Sequence, residues 1–494
     1  MVRFRFTLAV ALLAALAASP LLASPDGRSH GSRQAAAPLS LENALAREVD
    51  VARKAARAVG VHILDLADDR TVYEHEADQP RILASNTKLL TTAAALVELG
   101  PEHAFETRVM TRGSVEGDVL QGDLAVFGGG DPNISGRFHD GDSYAVFREW
   151  AAALRARGVA RVAGDLYLVN GIFEEPRVHP DWPRDQLTTW YEAPVDALSF
   201  NDNCVLVRVR PAAKSGAPAI VETVPKLDYF RIRNSARTGD GKKHKLFVTR
   251  EAESDTLVVS GWIGRGTGQV DVWVAVLDPQ AYFAAALRGA LAEEGISVAG
   301  TSRFVHGAPE GVWEQVASHR SDLQRTLEVT NKRSQNFYAE SLAKFLAWKQ
   351  SGHGSWTAAV DTISRFLVSL GVPAEAFRLA DGSGLSRGNV MSARGMTTLL
   401  ERMYFHAFGR EYVRSLPHSG EDGLKWERRL AQPPYRENVF AKTGTINGVS
   451  TLSGYVKATS GRVYAFSILC NQVRSNASAH AAQDRILRAL IDRG

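Results

Sequence analysis

The sequence predicts an α+β protein: an antiparallel sheet flanked by helices, interrupted by a large β-rich insertion. Three observations carry this prediction. Helical periodicity covers 41–57 and 85–99 near the start, and returns at 334–349 and 360–370. Strand-like alternation fills 439–445, 451–458 and 462–469, with Asn447-Gly448 and Ser460-Gly461 as turns. Between these regions, 104–309 is a succession of short β-rich segments broken by glycine, among them 119–127, 164–169, 205–209 and 270–276.

Taken in order, Arg3 and Arg5 precede an apolar run over 6–18, followed by Ser19, Pro20, Ala23, Ser24 and Pro25. This is the layout of a secretory signal peptide, assigned to 1–24. The run is short of the roughly 20 apolar residues that span a bilayer. No cysteine follows it to take a lipid. Residues 25–40, rich in Ser, Gly, Ala and Arg, read as a flexible leader. Strands at 61–66 and 71–75 flank a turn at Asp68-Asp69, and Gly100-Pro101 stops the helix that starts at Ser85. The catalytic part is assigned to 41–103 and 310–494. The insertion is assigned to 104–309, as two subdomains with the inner one near 206–255. A last amphipathic helix, 477–491, carries Ala481, Ile486 and Leu490 for packing on a sheet. It is short and not strongly basic, so at most loose membrane association is expected.

Composition excludes several functions. The 494 residues hold 58 Lys+Arg against 54 Asp+Glu, a net charge of +4, which is no footprint for nucleic acid. Lys242-Lys243-His244-Lys245 reads as a solvated loop. The 13 histidines show no His-Glu-x-x-His spacing, so no metal is expected, and no cofactor is implied. Gly264-Arg265-Gly266-Thr267-Gly268 lacks a Walker lysine and reads as a turn between strands. Cys204 and Cys470 lie far apart in dissimilar contexts and are expected as two unpaired, buried thiols. Trp182, Trp190 and Tyr191 could stack on sugar, but packing is the expectation.

Three motifs carry chemistry. In Ser85-Asn86-Thr87-Lys88, positions i and i+3 share a helix face, so a weak nucleophile gains a base beside it. The partial positive charge of a helix N-terminus favours an anion there. Lysine serves as the base when its surroundings lower its pKa. Ser341-Leu342-Ala343-Lys344 repeats the spacing but falls in mid-helix and reads as a structural face. Ser334-Gln335-Asn336 offers a hydroxyl for proton relay and an amide for a peptide group; Ser199-Phe200-Asn201 is a decoy of the same form. Lys442-Thr443-Gly444-Thr445 lies on a strand whose edge offers backbone donors to an extended peptide. There Lys442 supplies a cation for a carboxylate, and Gly444 permits close approach of a ligand or backbone.

Motifs of this kind, in this order, occur in penicillin-binding proteins and related β-lactamases. The chain resembles the D-alanyl-D-alanine carboxypeptidase/endopeptidases of the penicillin-binding protein 4 type, the low-molecular-mass class C penicillin-binding proteins. Asn331-Lys332-Arg333-Ser334-Gln335-Asn336 matches that family's longer second motif and selects Ser334 over Ser199. Asp381-Gly382-Ser383-Gly384-Leu385-Ser386-Arg387, Gly128-Gly129-Gly130-Asp131-Pro132 and the stretch 193–203 resemble further signatures. The long interval between the first two motifs fits the family's inserted block.

The resemblance implies a penicillin-binding transpeptidase-like domain and an exported enzyme of the periplasm or extracytoplasmic cell envelope. It implies a peptidoglycan stem peptide as substrate and β-lactam antibiotics as covalent inhibitors. Ser85 would attack the carbonyl of the penultimate D-Ala, with Lys88 as base and Ser334 carrying the proton to the leaving amine. Asn336 would hold the substrate amide. Lys442, Thr443 and Thr445 would take the terminal carboxylate beside Gly444. The backbone N–H groups of Ser85 and Thr445 would form the oxyanion hole. The rival readings are a β-lactamase or esterase on the same core, and a non-catalytic cell-wall-binding protein. Intact Ser85, Lys88 and Lys442 argue against the last.

Overall fold

A computed structural model describes residues 40–494. The signal peptide and nearly all of the leader read from the sequence lie outside the described residues. Ser40 caps the first helix, Leu41–Ala55, by accepting the Asn43 N–H, and Leu45, Val49 and Ala52 form its buried stripe. The sequence places this helix out to 57 and the next strand at 61. Instead Ala56 is already extended, and strand Ala56–Asp65 pairs antiparallel with Val463–Val473 from Ala56 opposite Val473 to Asp65 opposite Tyr464. Pairing with a strand four hundred residues away overrides the local helical pattern.

The central sheet has five antiparallel strands in the order Arg70–His75, Ala56–Asp65, Val463–Val473, Val449–Lys457, Val439–Ile446. The last two form a hairpin around Asn447-Gly448, with Gly448 at φ 74°, a turn conformation glycine adopts without penalty. Both faces are buried. Leu452 and Val456 face one core, shared with the first helix and the last, Asn476–Arg493. Thr451, Ser453 and Tyr455, on the other face by strand alternation, meet the helical block. That block contains Thr87–Leu99, Leu323–Lys332, Asn336–Ser351, Trp356–Ser369 and Ala393–Tyr404. In Thr87–Leu99 every residue from Thr87 to Leu96 is buried, as expected of a helix enclosed on all sides.

The block read as an insertion holds a mixed sheet built on Ala104–Glu116 and Val119–Phe127; its last strand, Glu314–Asp322, comes from beyond 309, in the stretch the sequence reading gave to the catalytic part. A three-stranded sheet follows in the order Val270–Ala275, Cys204–Arg210, Ile220–Val224, and a four-stranded sheet centres on Thr256–Gly264. Two helices, Ala145–Ala156 and Pro279–Glu293, share their core; the sequence reading described this block only by its strands. Cys204 and Cys470 are free and buried. Among the described residues no helix is long and apolar enough to cross a membrane.

Candidate active site

The site forms where three separated segments meet the edge strand Val439–Ile446. Ser85 does not begin an α-helix. It sits in a 3₁₀ turn, Ala84–Asn86, and the α-helix starts at Thr87. Ala84 is held at φ 47°, a left-handed conformation that a non-glycine residue adopts only at a cost. The surroundings enforce it. Leu83 O accepts from Thr451 Oγ1 at 2.7 Å, and Leu83 N donates to Asn389 O at 3.0 Å. Asn86 donates to Lys442 O at 2.7 Å and accepts from Ser453 Oγ at 2.8 Å, which ties the Ser85 turn to two strands.

One turn on, Lys88 is fully buried. Its Nζ lies 3.1 Å from Ser85 Oγ, 2.6 Å from Asn336 Oδ1 and 2.7 Å from Ser383 O. Burial lowers its pKa to about 7, against the opposing pull of Glu340 and Asp381. A neutral amine carries two N–H groups and one lone pair. Ser383 O and Asn336 Oδ1 only accept, so they take the two N–H groups. The lone pair is left for the Ser85 hydroxyl. The orientation of Asn336 is itself determined, because its Nδ2 donates to Tyr191 O at 2.8 Å.

Ser334 lies at the loop-to-helix junction the sequence indicates, two residues ahead of the helix itself. A separate helix, Leu323–Lys332, precedes Asn336–Ser351, with Ser334 between them at φ 58°. This turn aims the Ser334 hydroxyl at Lys442 Nζ, 2.8 Å away. Lys442 also donates to Thr443 O at 2.9 Å and is almost completely buried. Its pKa is pushed well below that of an ordinary lysine by burial first, then by Lys88 and Lys425. Thr443 is half-buried beside it, and Thr445 is exposed. The fold therefore brings two hydrogen-bonded groups together, Ser85–Lys88–Asn336 and Ser334–Lys442, tied to each other through Asn86, which bonds the Lys442 backbone carbonyl. Both polar atoms of Asn336 are already engaged within the protein, where the sequence reading assigned it to a substrate amide.

Gly444 makes the assembly possible. A Cβ there would lie 2.2 Å from Thr451 Oγ1, 2.7 Å from Leu83 O and 3.0 Å from Ser85 N. Of the two partners the sequence allowed, the one that approaches is the protein's own backbone, the turn that carries Ser85. Gly444→Ala is expected to cost about 1–3 kcal/mol of stability through overpacking. It should also slow acylation of Ser85 by pushing the turn off the strand. Thermal unfolding and an acylation time course check this; an unchanged melt and rate would mean the contact yields freely.

The sequence reading quoted 381–387 as a signature without a role, and missed Glu340. Asp381 folds that segment: its Oδ1 accepts from Gly384 N and Asn389 Nδ2, both at 2.7 Å, and its Oδ2 accepts from Ser386 N at 2.6 Å and Trp182 Nε1 at 3.1 Å. Glu340 accepts the N–H groups of Gly382 at 2.9 Å and Ser383 at 2.8 Å, and Trp356 Nε1 at 2.8 Å. Burial pushes the Glu340 carboxyl up to about 7. Together these carboxylates present Ser383 O to Lys88. The available signal for Glu340 was its place one helical turn after Asn336, on the same face. Asn331 pins the same region, donating to Thr92 Oγ1 at 3.1 Å and Ser415 Oγ at 2.9 Å.

The decoys are structural. Lys344 donates to Glu174 O at 2.6 Å and lies over the Trp356 ring, and Ser199 donates to Asp196 O. Trp182 is buried, whereas Trp190 is 41% exposed.

A serine hydroxyl set against a buried lysine whose pKa is brought down to about 7, beside a second Ser–Lys pair and a strand edge, is the apparatus of an acyl-serine hydrolase. Residues 41–491 match the D-Ala-D-Ala carboxypeptidase 3 (S13) family, and the chain belongs to it. It is 33% identical to a D-alanyl-D-alanine carboxypeptidase of Actinomadura sp. (strain R39), over 88% of this chain and 81% of that protein. It is 25% identical to the D-alanyl-D-alanine carboxypeptidase DacB of Haemophilus influenzae, over 83% of this chain and 84% of that one. The fold is similar to the crystal structure of penicillin binding protein 4 (dacB) from Haemophilus influenzae, with a TM-score of 0.77 at 24% identity, covering 89% of this chain and 97% of that one. The protein is a serine peptidase of this carboxypeptidase class.

Proposed function

We propose that the enzyme cleaves D-Ala-D-Ala and related bonds of peptidoglycan stem peptides through an acyl-Ser85 intermediate, outside the cytoplasmic membrane. The observation that carries this reading is the lone pair of Lys88, left facing Ser85 once its two N–H groups are taken. Lys88 removes the serine proton as Oγ attacks the penultimate D-Ala carbonyl. The C–N bond breaks, and Ser334 passes a proton to the leaving amine. The backbone N–H groups of Ser85 and Thr445 stabilise the oxyanion; the closeness of the two backbones, such that a Cβ on Gly444 would lie 3.0 Å from Ser85 N, supports this pairing. Water then releases the acyl group. Asn336 acts first on Lys88, by holding one of its N–H groups. Thr443 and Thr445 hold the terminal carboxylate, with Lys442 supplying charge behind them. Penicillin, whose ring mimics D-Ala-D-Ala, is captured as a covalent adduct.

The carboxylate assignment has a direct test. Lys442→Ala is expected to slow cleavage of an acyl-D-Ala-D-Ala peptide by roughly 10²-fold, the scale of losing a buried charge contact. Cleavage of the corresponding ester without a free carboxylate should be much less affected. Steady-state kcat/KM on both substrates decides. Equal losses would show that Lys442 acts only through Ser334.

A further inference from the structure

The inserted block carries a charged, aromatic sheet face that the mechanism above does not use. It belongs to the four-stranded sheet centred on Thr256–Gly264. Along that strand Leu257, Val259 and Ile263 enter the core, so alternation turns Val258, Ser260 and Trp262 outward. In the antiparallel neighbour His244–Arg250, Leu246 and Val248 pack against the same core, which leaves Lys245 and Phe247 outside. Register then composes the outer face. Trp262 stands opposite Lys245 on one side, and opposite Arg237 of the parallel strand Arg237–Gly239 on the other. Phe247, two residues from Lys245, lies diagonal to Trp262, a separation of about 7–8 Å. Phe247 is 60% exposed and Trp262 39%. Neighbouring exposed rings rimmed by charge mark a binding surface.

The face is also cationic. Residues 231–268 hold eight Lys+Arg against four Asp+Glu, an excess equal to the net charge of the whole chain. Two of the four acids are paired, Glu251 with Arg233 at 2.7 Å and Asp240 with Arg265 at 2.6 Å. The other two, Glu253 and Asp255, lie in the turn at the far end of the hairpin from Trp262. Arg237 and Lys245 have no carboxylate partner among the described residues. Lys245 Nζ instead lies 5.9 Å from the centre of the Phe247 ring. Lys245 closes the basic run that the sequence reading left as a solvated loop; it stands on a strand, in one row with an indole and a guanidinium.

An aromatic ring stacks on the C–H face of a sugar, and a guanidinium or ammonium beside it takes a carboxylate. The row Arg237–Trp262–Lys245, with Phe247 next to it, therefore fits a chain of sugar rings that carries carboxylates. A polyphosphate would be held by the cations alone and would leave both rings without a role. The glycan strand of peptidoglycan is a chain of the first kind, since its stem peptides bear free carboxylates. We propose that this face binds the glycan strand, as a second contact that holds the enzyme on the polymer whose peptides it cleaves. The choice of polymer rests on the function proposed above. The contact takes no part in the chemistry at Ser85 and acts only on polymeric substrate.

The test measures retention of the full chain on insoluble peptidoglycan stripped of phosphodiester polymers, in a Ser85→Ala background so that the substrate is not cut. Phe247→Ala, Trp262→Ala and the pair Arg237→Gln with Lys245→Gln are each expected to bind about tenfold more weakly. With Ser85 in place, the same changes should leave penicillin acylation and cleavage of a soluble D-Ala-D-Ala pentapeptide within about twofold of wild type. Cleavage of insoluble peptidoglycan should fall with binding. Retention unchanged in the aromatic variants, retention only on walls that keep their phosphodiester polymers, or equal losses on the soluble pentapeptide would each overturn the proposal. Phe247, the more exposed ring, carries the decision if Trp262→Ala unfolds. A wild-type chain that forms no penicillin adduct would overturn the acyl-serine reading, while retention still reports on this face.

Discussion

Replacing Ser85 with alanine is expected to abolish the benzylpenicillin adduct and to reduce cleavage of a D-Ala-D-Ala peptide by roughly 10⁴–10⁶-fold, the range seen when a serine nucleophile is removed. Oγ is the only atom lost. Its partner in the structure is Lys88 Nζ at 3.1 Å, and the turn that carries it is held by Leu83, Asn86 and Gly444 rather than by Ser85 itself. The variant should therefore fold and melt like wild type. Intact mass after mixing with penicillin reads the outcome directly. One added penicillin per chain in wild type and none in the variant is the expected pair. An adduct retained in Ser85→Ala would move the nucleophile elsewhere. Rapid turnover of penicillin in wild type, with no accumulated adduct, would favour the β-lactamase reading.

The second large effect concerns Lys88. Only the uncharged amine has a lone pair for the Ser85 proton, and burial brings its pKa to about 7. Below that value the amine is protonated and the base is lost; above it the amine is free. The acylation rate of wild type is expected to fall about tenfold per pH unit below the inflection and to level off above it. Lys88→Met fills the same space with an unbranched apolar chain and supplies no base. Its acylation should be slower by about 10²–10⁴-fold, with no inflection near neutrality. Stopped-flow acylation between pH 5 and pH 9, about two units on either side of the inflection, tests both statements. A profile unchanged in Lys88→Met would assign the proton to another group.

Glu340 and Lys442 sharpen the comparison between sequence and structure. The order Ser-x-x-Lys, Ser-x-Asn, Lys-Thr-Gly was legible because each motif is a local spacing with a chemical reason. The turn at Asn447-Gly448, the stripe of the first helix and the strands around the Lys-Thr-Gly motif were legible for the same reason: alternation, helical period and turn residues are properties of neighbours in the chain. Glu340 was legible only as a position, one helical turn after Asn336, and not as a role. It is one glutamate in a helix until Gly382, Ser383 and Trp356 turn their N–H groups toward it. The left-handed turns at Ala84 and Ser334 were invisible too, since neither residue favours them and only the packed surroundings enforce them.

By itself, then, the sequence determined which groups are present and in what order: a nucleophile, two lysines, a second serine, an amide and a glycine at the strand edge, within helices and strands of readable period. The tertiary structure decided what those groups do. The decoy Lys344 is buried too and its pKa is lowered to about 8; Lys88 is set apart because Asn336 and Ser383, each more than two hundred residues away, close around it beside Ser85 and take its N–H groups. Burial shifts a pKa by removing water, and the atoms that remove the water from Lys88 come from across the whole chain.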